Sequence, residues 1–330
     1  MCTSIHLIAQ DFTHVLARTM DWPTLAVQPL YVPRDYAWQS PFDHHEYRTR
    51  YALIGGGSMQ PGRIDVSDGV NEYGLCVQKL TFANGAKLNV QRRADRIQLA
   101  PFELSFWLLS NCRNLQDVAA RLPELELMAD EQSDTKYGYP ELHFAISDTT
   151  GACAVLEPTA SPLRLRMNPL GVVTNSPDFD EQLRRMHDYV EFTPEFLAGT
   201  VGPNVARVTT GNLSGKKVPS GSYTPGARFI RAAYLKERSD QAADETAALT
   251  LAWHLLDAVT VVKQSRHQPT YSVYRAAACA NSRKYYYQSY QQAQASVLTL
   301  DDDLLAQTVP QVFATPDEFH AQTLNGGPYA

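Results

Sequence analysis

The sequence predicts an α+β fold in which two sheets are sandwiched between helical layers. Segments with alternating apolar and polar residues dominate the first hundred residues, and two segments with helical spacing follow them. Strands, helices and strands then succeed one another to the end of the chain. The 330 residues are 44% hydrophobic and 19% charged, which provides ample apolar area for a core. We therefore expect residues 1–330 to form a single domain.

The first predicted element is a β-hairpin. In the segment CTSIHLIA, apolar residues such as Ile5 alternate with polar ones, so the strand is expected to bury one face and to show Cys2 on the polar face. The segment HVLARTMDW repeats this pattern after a short turn, and we expect residues 2–9 to pair with residues 14–20. This pairing would carry Arg18 back towards Cys2.

The next elements are two strands and two helices. Strands are predicted in YALIGGGSM and in GLCVQKLTF, with DGVNEYG as the turn that leads into the second of them. Helical spacing then appears in APFELSFWLLSNCRN and in NLQDVAARLPEL. Asn114 is the expected N-cap of the second helix, with Asp117 three positions on.

The second half of the chain predicts another sheet, three helices and closing strands. The sheet is expected from the hairpin ELHFAISDTTGACAVLEP and from LRLRMNPLGVVTNSP. The helices are SPDFDEQLRRMHDYV, TPGARFIRAAYLKERSD and DETAALTLAWHLLDAVTVV, the second of them with Thr224 as cap and Pro225 at its first position. The closing strands are YSVYRAAACA, KYYYQSY and ASVLTL.

Charge and motif content exclude several classes of protein. The net charge of −6 and the pI of about 5.8 provide no basic surface for nucleic acid. His44 and His45 are adjacent rather than four residues apart, and the sequence has no HExxH or CxxC pattern, so we expect no metal site. The apolar run LTLAWHLLDAVTVV is shorter than the roughly 20 residues that span a bilayer, and it predicts a buried helix.

The cysteine pattern favours a cytoplasmic protein. Five cysteines are odd in number and widely spaced, which is typical of reduced thiols rather than of a disulfide framework. The first nine residues contain no Lys or Arg, so no export signal is expected. Four of the cysteines lie in apolar periodic segments and are expected to be small buried core residues: Cys76, Cys112, Cys153 and Cys279.

Cys2 is the first candidate catalytic residue. Removal of Met1 would place a thiol and a free α-amine on one residue, and an α-amine with a pKa of about 7.7–8.0 is a competent base near neutrality. Arg18 is expected to stabilise a Cys2 thiolate, and Asp21 to hold the α-ammonium or orient the amine. On position alone, an inert N-terminal thiol and a surface ion pair between Arg18 and Asp21 are the alternatives.

Six separated segments resemble the choloylglycine hydrolase family, which includes penicillin V acylases and conjugated bile salt hydrolases. They are MCTSI, LARTMDW, DGVNEYGL, TNSPDFDEQL, GARFIRAAY and YYYQSYQQAQASVLTL, and they occur in the order and spacing of that family. The resemblance implies an N-terminal nucleophile hydrolase with a four-layer αββα sandwich of two antiparallel sheets, in which removal of Met1 frees Cys2. In such a family Cys2 matches the nucleophile. Arg18 and Asp21 match its supporting charges.

Two further residues acquire expected roles from the same resemblance. Asn175 in TNSP matches an oxyanion donor, although a residue between a strand and a helix is equally a cap or a turn. Arg228 in GARF matches a second active-site arginine. It lies in the first turn of a predicted helix, an unfavourable place for a cation, which indicates a specific partner or else a solvated face.

One position departs from the family pattern. Bile salt hydrolases typically carry Asn in LNF and penicillin V acylases carry Tyr there, whereas this chain has Thr81 in LTF. A short hydroxyl has the reach of neither side chain. We therefore expect the oxyanion hole to use Asn175 together with a backbone N–H at Thr81 or Phe82, both adjacent to the substrate.

These observations predict hydrolysis of a linear amide, acyl–NH–R, through a thioester on Cys2 and without a cofactor. An apolar acyl group is expected, because four large apolar side chains follow Asp21: Trp22, Leu25, Tyr31 and Trp38. The alternative is that the aromatic residues are core, and we expect this for at least some of them. The absence of the Asn leads us to rank penicillin V or a related N-acyl amide ahead of glycine- and taurine-conjugated bile salts. A catalytically silent family member that binds acyl amides or forms oligomers is the other class.

The resemblance also implies a homotetramer. The segment EFTPEFLAGTVGPNVARV lies between two predicted helices, and in relatives a comparable excursion reaches into a neighbouring subunit. A surface loop is the alternative. Apart from further copies of itself, the expected partner is a small acyl amide substrate, with no nucleic acid and no membrane.

Overall fold

The computed structural model describes residues 1–40, 44–60, 63–129, 141–160, 163–186, 221–264 and 269–320. Its strands are β1 (Cys2–Ile8), β2 (His14–Trp22), β3 (Gln28–Val32), β4 (Ala37–Gln39), β5 (Glu46–Arg48), β6 (Leu53–Gln60), β7 (Arg63–Asn71), β8 (Cys76–Thr81), β9 (Ile97–Leu99), β10 (Leu125–Leu127), β11 (Leu142–Ser147), β12 (Cys153–Glu157), β13 (Arg164–Met167), β14 (Val172–Val173), β15 (Tyr271–Cys279), β16 (Lys284–Ser289), β17 (Ser296–Thr299) and β18 (Gln311–Val312). Its α-helices are α1 (Leu104–Asn111), α2 (Leu115–Arg121), α3 (Phe179–Met186), α4 (Pro225–Arg238), α5 (Glu245–Asp257) and α6 (Asp302–Leu305).

Two antiparallel sheets form the centre of the molecule. Sheet A has the strand order β14-β1-β2-β15-β16-β17, and sheet B has the order β13-β12-β11-β8-β7-β6-β3-β18. Apolar side chains of both sheets and of helices α4 and α5 form one core cluster, and those of sheet B, α1 and α2 form another. The order of layers is therefore helices, sheet A, sheet B, helices. This confirms the predicted sandwich of two antiparallel sheets between helical layers.

The predicted N-terminal hairpin is confirmed. Strands β1 and β2 pair with Cys2 opposite Met20 and Ser4 opposite Arg18. Because side chains two positions apart share a face, Arg18 and Cys2 lie on the same side of sheet A. That side faces sheet B, since Ser4 Oγ donates a hydrogen bond to Gln78 Oε1 at 2.7 Å.

The prediction that one face of this hairpin is polar and exposed is wrong. Cys2 is only 1% exposed, and six of the seven residues of β1 are buried. The physical reason is that sheet A is covered twice, by sheet B on one face and by α4 and α5 on the other. Polar residues on the inner face of β1 are therefore paired inside the protein rather than solvated.

The division of strands between sheets also differs from the prediction. Strands β11, β12 and β13 do not start a second sheet, because β11 pairs with β8 and extends sheet B. Strand β14 instead pairs with β1 in sheet A. The segment DGVNEYG is only partly a turn: its first four residues, Asp68–Asn71, belong to β7, and Asn71 Oδ1 then accepts backbone hydrogen bonds from Tyr73 and Leu75.

The helix signals are largely confirmed. Asn114 caps α2, since its Oδ1 accepts a hydrogen bond from the Asp117 backbone N–H at 2.9 Å. Pro225 is the first residue of α4, and Thr224 occupies the cap position before it, but the Thr224 side chain makes no capping hydrogen bond. Across the described ranges, no helix is both long enough and apolar enough to cross a membrane. The segment 191–208, on which the tetramer prediction depends, lies outside the described residues.

Candidate active site

Cys2 lies at the beginning of β1 and faces the interior between the sheets. Its Sγ is 3.7 Å from Met20 Sδ, and its backbone N–H donates to Asn175 Oδ1 at 2.7 Å. Met1 precedes it, and the Met1 nitrogen donates to the backbone oxygen of Asp21 at 2.7 Å. While Met1 is attached, the Cys2 nitrogen is an amide and has no lone pair available for proton transfer.

Asn175 connects three parts of the chain around Cys2. Its Oδ1 accepts hydrogen bonds from the Cys2 backbone and from Arg228 Nη2, each at 2.7 Å, while its Nδ2 donates to the Thr81 backbone oxygen at 2.8 Å. It stands between β14 and α3, as the sequence indicates, but its side chain does not cap the helix. Instead it bridges the N-terminus, α4 and the end of β8.

Arg228 is fully buried in the first turn of α4. Its Nη1 donates to the Cys2 backbone oxygen at 2.6 Å and to Thr3 Oγ1 at 2.5 Å, and its Nε donates to Tyr223 O at 2.9 Å. Burial lowers the pKa of this guanidinium, and the charges of Asp21 and Cys2 oppose that shift. The partners explain why a cation is tolerated at a helix N-terminus, and the alternative of a solvated face is wrong.

Asp21 forms its ion pair with Arg228 and not with Arg18. Its Oδ2 lies 3.8 Å from Arg228 Nη1, and its Oδ1 accepts a hydrogen bond from Ser272 Oγ at 2.6 Å. The carboxylate is completely buried, so a surface pair is excluded. The backbone register explains the contact with Ser272, which lies opposite Asp21 in the β2–β15 pairing.

Arg18 forms a buried ion pair with Asp68 on sheet B. Its Nη1 donates to Asp68 Oδ2 at 3.1 Å, and its Nη2 lies 3.4 Å from Met20 Sδ. Burial alone would lower the pKa of Arg18, but the nearby groups of Cys2, Tyr274, Asp68 and Tyr285 together raise it above its ordinary range. Arg18 is therefore a fixed cation beside Cys2, with Met20 in contact with both.

Asp68, Tyr274 and Tyr285 were not recognised from the sequence as part of the site. Both phenols donate to the Asp68 carboxylate, the Tyr274 hydroxyl to Oδ2 at 2.6 Å and the Tyr285 hydroxyl to Oδ1. Burial and the charge of Asp68 raise the pKa of both tyrosines well above its ordinary value, so they remain neutral donors. No local pattern signals this cluster, because Asp68 and its phenolic partners are more than 200 residues apart in sequence.

The backbone of Thr81, but not that of Phe82, faces the site. The Phe82 N–H donates to Glu141 O at 2.8 Å in the pairing with β11, and its ring stacks on His143. Hydrogen-bonded and non-hydrogen-bonded pairs alternate in an antiparallel ladder, so the N–H and C=O of Thr81 point to the opposite side of β8. The Thr81 oxygen indeed accepts from Asn175 on that side.

A cavity of about 60 Å³ adjoins Cys2. Its apolar lining consists of Met20, Trp22, Leu25, Val27, Phe102 and Leu142. Two of the four expected apolar residues, Trp22 and Leu25, therefore lie at the cavity. The other two do not: Tyr31 is core, with its hydroxyl bonded to Gln307 O at 3.0 Å, and Trp38 stacks on Tyr47 with ring centroids 5.0 Å apart.

Two larger clefts each share lining residues with this cavity. One, of about 410 Å³, is lined by Met1, Thr81 and Asn175, and it shares Trp22 with the cavity. The other, of about 610 Å³, shares Leu25, Val27 and Ser58 with it. Cys2 thus lies in a narrow space between two clefts that reach the surface.

The remaining cysteines are core residues, as predicted. All five cysteines are free thiols, and burial raises the pKa of Cys112 and Cys153 to about 12 and that of Cys76 and Cys279 above its ordinary value. In the part of the chain that the structure describes, no three His, Cys, Asp or Glu side chains are arranged to hold a metal ion.

Comparisons of the sequence and of the fold with known proteins identify one family. The model of linear amide C–N hydrolases, choloylglycine hydrolase family, matches residues 2–313. A bile salt hydrolase/transferase of Clostridium perfringens is 26% identical over 314 residues, which are 92% of this chain and 94% of that protein. A penicillin V acylase of Pectobacterium atrosepticum is 23% identical over 176 residues, 51% of this chain and 47% of that protein. A crystal structure of a mutant conjugated bile acid hydrolase from Clostridium perfringens has the same fold, with a TM-score of 0.85 at 24% identity over 98% of this chain and all of that one.

Proposed function

The chain belongs to the choloylglycine hydrolase family of linear amide C–N hydrolases, and on this premise we propose that it cleaves acyl–NH–R amides through a thioester on Cys2. The observation that carries the proposal is the placement of one residue. Cys2 Sγ lines a cavity beside the fixed cation Arg18, while the Cys2 nitrogen is held by Asn175 Oδ1 at 2.7 Å. Loss of Met1 would turn that nitrogen into an α-amine without moving it.

The first step is activation of the thiol by its own amine. The α-amine accepts the thiol proton, and the resulting thiolate is stabilised by Arg18. Asn175 Oδ1 would hold the α-ammonium. We assign the same role to the Asp21 carboxylate, whose Oδ2 is buried without a hydrogen-bond partner among the described residues. Sγ then attacks the carbonyl carbon of the amide, and the carbonyl oxygen becomes an oxyanion.

The oxyanion is held by two N–H donors. Asn175 Nδ2 carries two hydrogens, of which one is directed to Thr81 O, so the second is left for the oxyanion. The Thr81 backbone N–H faces the same side and provides the second donor. A residue that acts through its backbone need not be Asn or Tyr, which accounts for Thr81 at this position.

The thioester forms when the α-ammonium gives its proton to the amide nitrogen and the C–N bond breaks. Water then attacks the thioester, with the α-amine accepting its proton, and releases the carboxylic acid and the free thiol. Because the proton donor lies on the Met1 side of Cys2, the leaving amine binds in the 410 Å³ cleft. The acyl group then extends from Cys2 into the cavity and towards the 610 Å³ cleft.

The comparisons favour conjugated bile salts over penicillin V, which reverses the order ranked from the sequence. The bile salt relative aligns with 92% of this chain, whereas the penicillin V acylase aligns with 51% at lower identity. We therefore place glycine- or taurine-conjugated bile salts first among substrates and penicillin V second. Thr81 in place of Asn was the reason to rank bile salts second. Because the proposed oxyanion donor is the backbone N–H of this residue, the identity of its side chain no longer argues against bile salts.

The direct test compares kcat/KM for glycocholate, taurocholate, penicillin V and an N-acyl homoserine lactone, each with wild-type protein and with Cys2→Ala. We expect a bile salt to have the highest value and Cys2→Ala to be inactive on all four. A Cys2→Ala protein that retains hydrolysis would overturn the mechanism. A preference for penicillin V by more than about tenfold would overturn only the substrate order.

We also propose a homotetrameric assembly and a cytoplasmic location. A homotetramer rests on the family resemblance alone, and a light-scattering mass of one subunit at micromolar concentration would reject it. A cytoplasmic location is supported by the five free thiols, since a reducing compartment keeps such cysteines unpaired. Fractionation of the producing cells, followed by immunoblotting, tests it.

A further inference from the structure

Asp65 and Lys79 form a buried ion pair in the wall of the Cys2 cavity. Lys79 Nζ donates to Asp65 Oδ1, and the side chains are 10% and 6% exposed respectively. Both residues line the same cavity as Cys2, together with Ser58 and Ser67. The wall of the cavity therefore has a charged and polar part as well as an apolar part.

The local fold explains why these side chains reach the cavity. The ladder between β7 and β8 runs from Val70–Cys76 to Asp68–Gln78 and ends there. On the other edge of β7, the register with β6 shifts between Gly56 and Gly57, a bulge that leaves Ser67 without a partner on β6. Beyond these points β7 and β8 separate, and the cavity lies next to the opening.

The Lys79 ammonium has unused hydrogen-bonding capacity. It carries three N–H donors, and within the described ranges Asp65 Oδ1 is its one hydrogen-bond partner. A buried ammonium with donors to spare favours a ligand with an oxygen acceptor. A wholly apolar ligand in the same space would displace water from the ion pair and return no hydrogen bond, which opposes its binding.

We propose that Lys79, held by Asp65, recognises an oxygen substituent on the acyl group of the substrate. This inference rests on the proposed function, since it assumes that the acyl group enters the cavity beside Cys2. The recognised group is a hydroxyl or keto oxygen on an otherwise apolar acyl chain. The proposal differs from the sequence-based expectation of a purely apolar acyl group, because the wall contains an ion pair as well as apolar side chains.

The size of the cavity places this oxygen near the scissile carbonyl. One water needs roughly 10–15 Å³ of such volume, so a cavity of about 60 Å³ holds only a few non-hydrogen atoms. Cys2 and Lys79 both belong to its wall. The oxygen bound by Lys79 is therefore expected within the first few atoms of the acyl chain, and any larger apolar portion extends into the cleft beyond Leu25 and Val27. A conjugated bile salt has no oxygen at that position, so a positive result in the test below would place an N-acyl amide with such an oxygen ahead of bile salts in the substrate order.

The test uses two N-acylglycines that differ by one oxygen, N-hexanoylglycine and N-(β-hydroxyhexanoyl)glycine. Release of glycine is measured, and the quantity compared is the ratio of the two kcat/KM values. We expect wild-type protein to prefer the hydroxylated amide by about 10- to 100-fold, the range for a hydrogen bond to a charged group. In Lys79→Met the ratio should fall towards one, and in Lys79→Gln, which retains an N–H donor, it should be intermediate.

Lys284→Met is the matched control. Lys284 forms an ion pair with Glu245 at 3.6 Å and does not line the cavity, so removing it should leave the ratio at the wild-type value. A ratio near one in wild-type protein overturns the inference even if Lys79→Met fails to fold. An unchanged ratio in a folded Lys79→Met protein also overturns it, since the pair would then serve only to join the separated strands.

The outcomes separate this inference from the proposed function. If wild-type protein releases glycine from both amides at equal kcat/KM, the amide hydrolase stands and the oxygen recognition fails. If no glycine is released from either amide or from glycocholate, the proposed function itself fails.

Discussion

Asn175 Oδ1 lies 2.7 Å from the backbone nitrogen of Cys2, although 173 residues separate the two in sequence. The same oxygen accepts a hydrogen bond from Arg228, and the amide nitrogen of the side chain faces Thr81. One amide side chain therefore has two separable tasks. In the proposed mechanism its oxygen positions the N-terminal residue, and its nitrogen stabilises the oxyanion.

Asn175→Ala is expected to lower kcat by about 10²–10³-fold, the loss seen when one oxyanion donor is removed. Asn175→Asp retains the oxygen that faces Cys2 and Arg228 but removes the amide donor, so a comparable loss is expected from it. Steady-state hydrolysis of glycocholate measures both. Asn111→Ala, on α1 in the outer helical layer, should retain wild-type kcat, and wild-type kcat in either Asn175 variant would exclude the oxyanion role.

Asp68→Asn is expected to destabilise the protein strongly. It leaves the fully buried Arg18 without its carboxylate, and breaking a buried pair costs about 3–5 kcal/mol. The measurement is the free energy of unfolding from urea titration. Asp257→Asn removes the partner of Arg275 at the surface and should cost under about 1 kcal/mol. Equal effects of the two substitutions would contradict the assignment of Asp68 as the counter-charge of Arg18.

Thiol alkylation should distinguish Cys2 from the other cysteines. All five thiols are buried, but Cys2 adjoins the cavity. Burial raises the pKa of the other four, so little thiolate forms on them near neutral pH. At pH 7.5, which lies well below those pKa values, iodoacetamide should modify one thiol quickly in folded protein. Peptide mapping should identify it as Cys2. The fast phase should vanish in Cys2→Ala and persist in Cys153→Ala; uniform slow labelling of all five thiols contradicts the prediction.

Because His6 is buried with a lowered pKa, we expect the free energy of unfolding to fall in acid. Burial, Lys236 and His14 lower its pKa from 6.5 to about 3 in the folded protein. Between those values the unfolded chain binds a proton that the folded protein does not, so the free energy of unfolding falls as pH falls from about 6.5, by up to about 1.4 kcal/mol per pH unit.

The variant that checks this is His6→Phe, which keeps a ring but cannot bind a proton. Its free energy of unfolding should fall less steeply than that of the wild type between pH 6.5 and pH 4, inside the window set by the pKa of His6. The pKa of His14 is also lowered by burial, so some slope remains. Parallel curves for His6→Phe and wild type would disprove the assignment.

Local patterns predicted the parts of the site that lie on one hairpin or one helix. Alternation in the first 20 residues placed Cys2 and Arg18 on one face, and the unfavourable position of Arg228 at a helix N-terminus correctly indicated a specific partner. The family resemblance added Asn175 to the predicted site residues. Without that resemblance, its position between a strand and a helix indicates a cap or a turn. Each of these inferences depends on periodicity, helix electrostatics or a motif within a few residues.

Contacts between strands that are distant in sequence were not predicted from the sequence. Asp68 was interpreted as part of a turn, yet it neutralises Arg18 and receives two phenolic hydrogen bonds from β15 and β16. The cavity likewise depends on where β7 and β8 separate, which no local pattern encodes. The same applies to the division of strands between the sheets, because a strand's pattern shows which residues alternate but not which strand it pairs with.

The central claim is that Cys2 acts with a free α-amine, and the mass of the N-terminal peptide from an acid-quenched reaction tests it most directly. Active protein is quenched during turnover of glycocholate, digested and mapped. The account predicts a peptide that begins at Cys2 without Met1, a fraction of which carries the cholyl group on the thiol. An N-terminal peptide that retains Met1 throughout a preparation with full activity would contradict it.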